Sequence, residues 1–163
     1  MAENISKKIK ELLVGIDTIK TIGELSTEVT SIHCDSRSVL PNSLFIAVSG
    51  NNLDGKSYIS KAIANGAKAI VYDGELSETS PEILYIQVSD SRVAQAIIAK
   101  NFYDDPSSKL KLVGVTGTNG KTTTATVLYE LFKLLGYKVA LLSTNENKIN
   151  EEANSNRWKE RFR

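Results

Sequence analysis

Apolar and polar positions follow two rhythms along this chain, and the switches between them mark its elements. Ile5, Ile9, Leu12 and Leu13 recur at helical spacing with Lys7, Lys8 and Lys10 opposite, which predicts an amphipathic helix over 5–14 that packs on a small domain. From Glu28 the pattern turns to β. Val29 and Ile32 lead into Cys34-Asp35-Ser36-Arg37, a turn falls at Pro41-Asn42-Ser43, and 44–48 reads as a buried strand. A glycine turn follows over 50–55. Residues 57–65 predict a helix with Tyr58, Ile59, Ala62 and Ile63 as its buried stripe and Gly66 as its C-cap. Strands are expected at 67–72 and 83–88, joined by a polar loop that starts at Asp73, and Ser89-Asp90 caps a helix running through Ala94, Ile97, Ile98 and Phe102.

Asp104-Asp105-Pro106-Ser107-Ser108 is polar and its proline stops the preceding helix, so it is the expected boundary. Beyond it the pattern predicts a short apolar strand at 109–113, a glycine loop, a helix reaching Gly136 and a strand at 138–142. Strands alternating with helices give an α/β fold. The expected architecture is a small N-terminal α/β domain with a mainly parallel sheet over 1–106, then the first βαβ unit of a P-loop-like ATP-binding domain over 107–150. That second sheet would be incomplete, because a parallel sheet needs further strands to bury both faces. Residues 151–163 are poor in apolar positions and are expected to be a disordered tail, produced by a shifted or prematurely ended reading. Within it Trp158 and Phe162 stand one helical turn apart among four basic residues.

Composition narrows the picture. Hydrophobic residues at 41% and charged residues at 24% are ordinary globular values, which exclude a disordered chain. A net charge of +1 gives no electrostatic case for nucleic acid or a membrane as partner. Cys34 is the single cysteine, so no intrachain disulfide can form. With no signal-like apolar run at the start and no long apolar stretch, a cytoplasmic monomer is the expectation.

The densest chemistry lies at Gly114-Val-Thr-Gly-Thr-Asn-Gly-Lys-Thr-Thr-Thr124. Glycines let a backbone approach an anion closely, the first amides of a helix point unpaired N–H groups at it, and Lys121 adds a mobile positive charge. Thr122 would offer a hydroxyl to the magnesium that accompanies a nucleotide. The usual spacing would put the first glycine at position 115, where this chain has Val115, so Gly117-Thr118-Asn119-Gly120-Lys121-Thr122 is a variant loop. The plain alternative is a glycine-rich turn that only caps a helix. His33 reads as a surface strand residue, since no second histidine or cysteine exists to complete a metal site.

Three motifs in order, Asp35-Ser36-Arg37-Ser-Val-Leu-Pro-Asn-Ser-Leu-Phe-Ile-Ala, Gly50-Asn-Asn-Leu-Asp-Gly55 and Gly117-Thr-Asn-Gly-Lys-Thr-Thr123, make the chain resemble the Mur ligases over about 25–150, and within them the MurE type. The MurF type shares the first two signatures, and Thr118 favours the MurE type over it. The resemblance implies an ATP-dependent amide-forming ligase of peptidoglycan precursor synthesis. It would add diaminopimelate or lysine to UDP-N-acetylmuramoyl-L-alanyl-D-glutamate through an acyl phosphate. It implies ATP and Mg2+ as cofactors at Gly117, Thr118, Asn119, Gly120, Lys121, Thr122 and Thr123, with Thr122 toward the metal. It implies UDP-sugar contacts at Cys34, Ser36, Asn51, Asn52 and Leu53, whose hydroxyl and carboxamides can both donate and accept. Asp35 and Arg37 read equally well as an ion pair that fixes the loop, and Ser36 as a plain turn hydroxyl. The family's downstream acidic magnesium ligand, histidine, carbamylated lysine and amino-acid-selecting domain have no counterpart here, so no catalytic residue is expected within this chain, and it is expected to be inactive alone. The competing readings are a non-catalytic UDP-sugar-binding module and a P-loop or folylpolyglutamate-synthase-like ligase.

Overall fold

The computed structural model describes residues 5–50, 54–149 and 152–153. The chain divides into two compact units, Met1–Leu110 and Lys111–Arg163.

The first unit opens with β1 (Lys7–Lys8), α1 (Ile9–Leu12), β2 (Thr18–Ile22), β3 (Glu28–Val29) and β4 (Ser31–His33). It continues with β5 (Ser43–Ala47), α2 (Ile59–Ala64), β6 (Ala67–Asp73), β7 (Leu84–Val88) and α3 (Ser91–Phe102). Its main sheet has the order β2-β7-β6-β5-β4. Strands β4 to β7 are mutually parallel, and β2 runs antiparallel along β7. The expected α/β fold with a mainly parallel sheet is therefore the one adopted.

Strict alternation sends neighbouring side chains to opposite faces, and each face has its own core. Leu44, Ile46, Ala69, Val71, Leu84, Ile86 and Val88 join Ile9 and Leu12 of α1 and Ala94, Ile98 and Phe102 of α3. Phe45, Ala47, Ile70, Tyr72 and Tyr85 pack on the other side with Ile59 and Ala62 of α2. Burial on both faces explains why 44–47 and 69–72 read as continuous apolar runs.

Three local expectations change. The helix over 5–14 is only α1, because Lys7 and Lys8 pair with Val29 and Glu28 instead, and the Ile9 and Lys10 amides donate to Thr27 and Leu25 carbonyls at 2.9 and 3.2 Å. Asn101 donates to the Leu12 and Val14 carbonyls at 3.0 and 2.9 Å and so covers the end of α1. The helix over 57–65 begins as a 3-10 turn, Gly55–Tyr58, whose N-cap Asp54 accepts from the Lys56 amide at 3.0 Å. That turn rotates Tyr58 off the apolar stripe, and it is exposed. Strand β2 was not foreseen, because Ile19 and Ile22 stand three apart and give no alternation, and Ile19 faces outward from the sheet edge.

The second unit holds α4 (Lys121–Leu134), β8 (Ala140–Leu142), β9 (Asn147–Ile149) and β10 (Glu152–Ala153). Gly136, with φ +83°, ends α4 and donates to the Lys133 carbonyl at 3.0 Å. The strand expected at 109–113 does not form among the described residues: Leu110, Leu112 and Val113 are exposed. A strand exists only through its ladder partners. Its expected neighbour β8 pairs antiparallel with β9, which in turn pairs with β10, so the small sheet here is antiparallel. The expected parallel βαβ pairing is thus absent among the described residues, while its loop and helix are present.

Candidate phosphate loop and sheet-edge site

In the first unit all four parallel strands end on one edge, and in open α/β sheets that carboxyl edge is where ligands settle. The loop after β4 carries Cys34, Asp35, Ser36 and Arg37. Asp35 caps the 3-10 turn Ser36–Ser38 by accepting from the Arg37 amide at 2.9 Å, and it also accepts from Arg37 Nε at 3.0 Å and Nη2 at 2.7 Å. The pair therefore fixes the loop's shape. Those hydrogen bonds hold the Asp35 carboxyl below the usual range. Ser36 is buried, and its carbonyl accepts from Asn65 Nδ2 at 2.8 Å, which ties this loop to the end of α2. Cys34 is half-buried, and burial pushes its thiol up, so it stays protonated at neutral pH. His33 Nε2 lies 3.0 Å from Ser31 Oγ, and burial lowers its pKa against the opposing pull of Asp35. Among the described residues no group of three or more His, Cys, Asp or Glu side chains is placed to hold a metal ion.

Asn51, Asn52 and Leu53 lie outside the described residues. The positions that flank them are firmly placed. Ser49 and Asp54 form an antiparallel bridge, and Gly55 runs so close to β5 that a Cβ there would sit 2.6 Å from the Val48 nitrogen and oxygen. Ser49 is held by all its polar groups. Its amide donates to Ser91 Oγ at 3.0 Å, its carbonyl accepts from Arg92 Nε at 2.9 Å, and its hydroxyl donates to Asp73 Oδ1. Asp73 Oδ2 also accepts from the Ser91 amide at 3.0 Å. Burial pushes the Asp73 carboxyl up, but the hydrogen bonds from Ser49 and Ser91 outweigh it and the net shift is down.

Sequence reasoning took Asp73 as the first residue of a loop and passed over Ser49 and Ser91. They meet because β5 and β6 are neighbours, with Ala47 opposite Tyr72, and because α3 starts directly after β7. The available signal was a polar residue at the carboxyl end of each successive strand.

In the second unit the glycine loop meets α4. Gly117 and Gly120 have φ of +149° and +76°, conformations that disfavour side chains. Gly120 is the N-cap and offers no side-chain cap, so the first-turn amides of Lys121, Thr122 and Thr123 face outward at the positive end of the helix. Lys121 Nζ turns back onto the loop and donates to the Gly117 carbonyl at 2.5 Å. A Cβ at Gly114 or Gly120 would meet nothing within 4 Å, so the loop is open on its outer side. An exposed loop with uncapped amides and a lysine amine within reach fits a phosphate group.

Comparison with known proteins places both units in one family. A Mur ligase family catalytic domain model matches residues 28–103, and a Mur ligase middle domain model matches residues 115–160. The chain is 52% identical over 147 residues to a UDP-N-acetylmuramoyl-L-alanyl-D-glutamate--2,6-diaminopimelate ligase of Cytophaga hutchinsonii, covering 89% of this chain and 30% of the relative. It is 48% identical over 147 residues to the ligase of the same name from Phocaeicola vulgatus, covering 90% of this chain and 30% of that one. The chain thus spans about 30% of the length of these curated relatives. Among solved structures, a UDP-N-acetylmuramoylalanyl-D-glutamyl-2,6-diaminopimelate--D-alanyl-D-alanyl ligase from Acinetobacter baumannii superposes with a TM-score of 0.56 at 22% identity, over 83% of this chain and 30% of that one, a likeness of fold. With one family model over the first unit, a second over the glycine loop and its helix, and near-half identity to named ligases, the chain belongs to the Mur ligase family.

Proposed function

We propose that this chain supplies the UDP-sugar-holding end and the phosphate loop of an ATP-dependent ligase that adds 2,6-diaminopimelate to UDP-N-acetylmuramoyl-L-alanyl-D-glutamate in peptidoglycan precursor synthesis. The carrying observation is the 52% identity to a ligase of that name over 89% of the chain, a span that takes in both the 34–37 loop and the 117–123 loop. The diaminopimelate assignment comes from the names of these relatives. In this reading residues 1–106 form the UDP-sugar domain and 107–150 open the ATP domain, in a monomer that works in the cytoplasm. No helix among the described residues is long and apolar enough to cross a membrane.

A carboxylate is a poor electrophile because oxide is a prohibitive leaving group. ATP, when bound with magnesium, supplies the phosphoryl group that turns the substrate's carboxylate into an acyl phosphate an amine can attack. The chain's own residues bind and steady the charge. Gly117, Thr118, Asn119 and Gly120 would hold the phosphates with backbone amides, Lys121 would supply a positive charge to phosphate oxygens, Thr122 and Thr123 would add hydroxyls, and Thr122 would be the one to serve the magnesium. Cys34 and Ser36, on the loop at the carboxyl edge of the sheet, hold the UDP-sugar together with Asn51, Asn52 and Leu53.

Calorimetric titration of the 163-residue chain tests this. Saturable binding of UDP-N-acetylmuramoyl-L-alanyl-D-glutamate and of MgATP, with no comparable heat from folate, is the expected result. No UDP-sugar binding, or binding of folate in its place, overturns it. The chain by itself is expected to release no ADP when the UDP-sugar dipeptide and diaminopimelate are supplied. ADP release dependent on both would show that these residues suffice for turnover.

A further inference from the structure

We propose that Asp73 is a positioning residue for the UDP-sugar, acting through Ser49, and this rests on the reading of the sheet edge as the UDP-sugar site. The argument starts from strand ends. Ser49 is the second residue after β5, on the run that leads from the sheet into the 50–55 turn. A chain leaving a strand is free to swing about φ and ψ, and one hydrogen bond does not stop it. Ser49 has three, on its amide, carbonyl and hydroxyl, and they come from two other elements, β6 and α3.

Asp73 organises that set. One carboxylate oxygen takes the Ser49 hydroxyl, and the other takes the Ser91 amide at the start of α3. With its amide held there, Ser91 turns its hydroxyl to receive the Ser49 amide, while Arg92, the next residue, reaches the Ser49 carbonyl. One anion at the end of β6 thus locks the end of β5 to the first turn of α3. The return side is fixed independently, by the Ser49 to Asp54 bridge and the tight passage of Gly55 over Val48. Lys56, from the same turn, adds a positive charge near the carboxylate and pairs with Asp54 at 3.7 Å.

A carboxylate suits this best. It accepts from two donors at once on separate oxygens and offers no donor to either. An asparagine would keep both contacts only by turning its N–H₂ toward the Ser49 hydroxyl, which must then accept, and it would lose the charge that strengthens both hydrogen bonds. Ser91 is fully buried and Asp73 half-buried, so solvent does not readily replace a lost partner. The consequence reaches substrate through geometry alone, since binding loops lose affinity when the frame that presents them loosens.

The test combines a double-mutant cycle with a conservative rescue. Ser49→Ala, Asp73→Asn, the double variant and Ser49→Thr are titrated with UDP-N-acetylmuramoyl-L-alanyl-D-glutamate, and Ser49 amide exchange is followed by NMR without ligand. The two single variants are expected to bind about tenfold more weakly, the size of one charge-assisted hydrogen bond. The double variant is expected to be no weaker than the worse single one, because both remove one interaction. Ser49→Thr keeps the hydroxyl and is expected to keep most of the affinity, and the Ser49 amide is expected to exchange faster in Asp73→Asn. Equal affinity in parent and folded variants overturns the inference and leaves the UDP-sugar reading standing, as does strict additivity of the single losses. If the parent does not bind the UDP-sugar, both fall, whereas the exchange result still reports whether the clamp exists.

Discussion

Gly55 shows how one missing carbon shapes the site. Its backbone lies against Val48 so closely that Gly55→Ala must push the two segments apart, because the nearest atoms are backbone and cannot swing aside as the end of a side chain could. We expect a loss of about 1–3 kcal/mol in urea unfolding, typical of overpacking. Gly66 combines the same crowding with strain: its φ is +103° and a Cβ would approach Pro41 Cα to 2.9 Å. The charged residues make a second prediction. Asp35 and Asp73 both have carboxyls held below the ordinary aspartate value of 3.8. A lowered carboxylate stabilises the fold fully above the ordinary value, and that contribution is lost as pH falls through the lowered one. Acid titration of folded stability should therefore steepen below the ordinary aspartate range, and Asp73→Asn should flatten part of that limb. A curve unchanged by the substitution would contradict the hydrogen bonding described for Asp73.

Among the elements, the two long helices begin in opposite ways. Helix α3 is capped by Asp90, whose carboxylate accepts from the Arg92 and Val93 amides at 2.8 and 3.1 Å, whereas α4 begins at Gly120 without a side-chain cap. The first arrangement serves stability, so Asp90→Ala should cost about 1 kcal/mol in thermal or urea unfolding. The second leaves first-turn amides without a side-chain cap, as the proposed phosphate site requires. Lys121→Met should weaken MgATP binding at least about tenfold while leaving the helix content of α4 by circular dichroism unchanged, because it removes a charge and no cap. A variant that binds as the parent does would remove Lys121 from the phosphate site. Both helices were legible in advance, from Asp90 before one apolar stripe and Gly120-Lys121 before the other. Helix α1 was legible but its length was not, because Lys7 and Lys8, read as part of its polar face, are spent on a ladder with Val29 and Glu28, a pairing about twenty residues away that no local period reveals.

For the molecule as a whole, burial differs sharply between the units. Strands β5 to β7 are packed on both faces, while in the second unit Tyr129 and Leu141 are the large side chains buried among the described residues, and Leu112, Val127, Leu134 and Leu142 are exposed. Hydrogen exchange should therefore be slow in β5, β6 and β7 and much faster in α4, because opening a poorly buried helix costs little. Equal protection in both would show that α4 is packed in solution as tightly as the strands of the first unit. The sequence by itself determined the mainly parallel α/β character of the first unit, the loop at 34–37 and the glycine loop ahead of α4, since each depends on local alternation, turn residues or glycines at fixed spacing. The tertiary structure alone decided that Asp35 and Arg37 satisfy each other, that 109–113 has no ladder partner while β8 takes an antiparallel one, and that Ser49, Asp73 and Ser91 converge. Those outcomes depend on which strand lies beside which, and partners far apart in the chain leave no periodic trace in either segment.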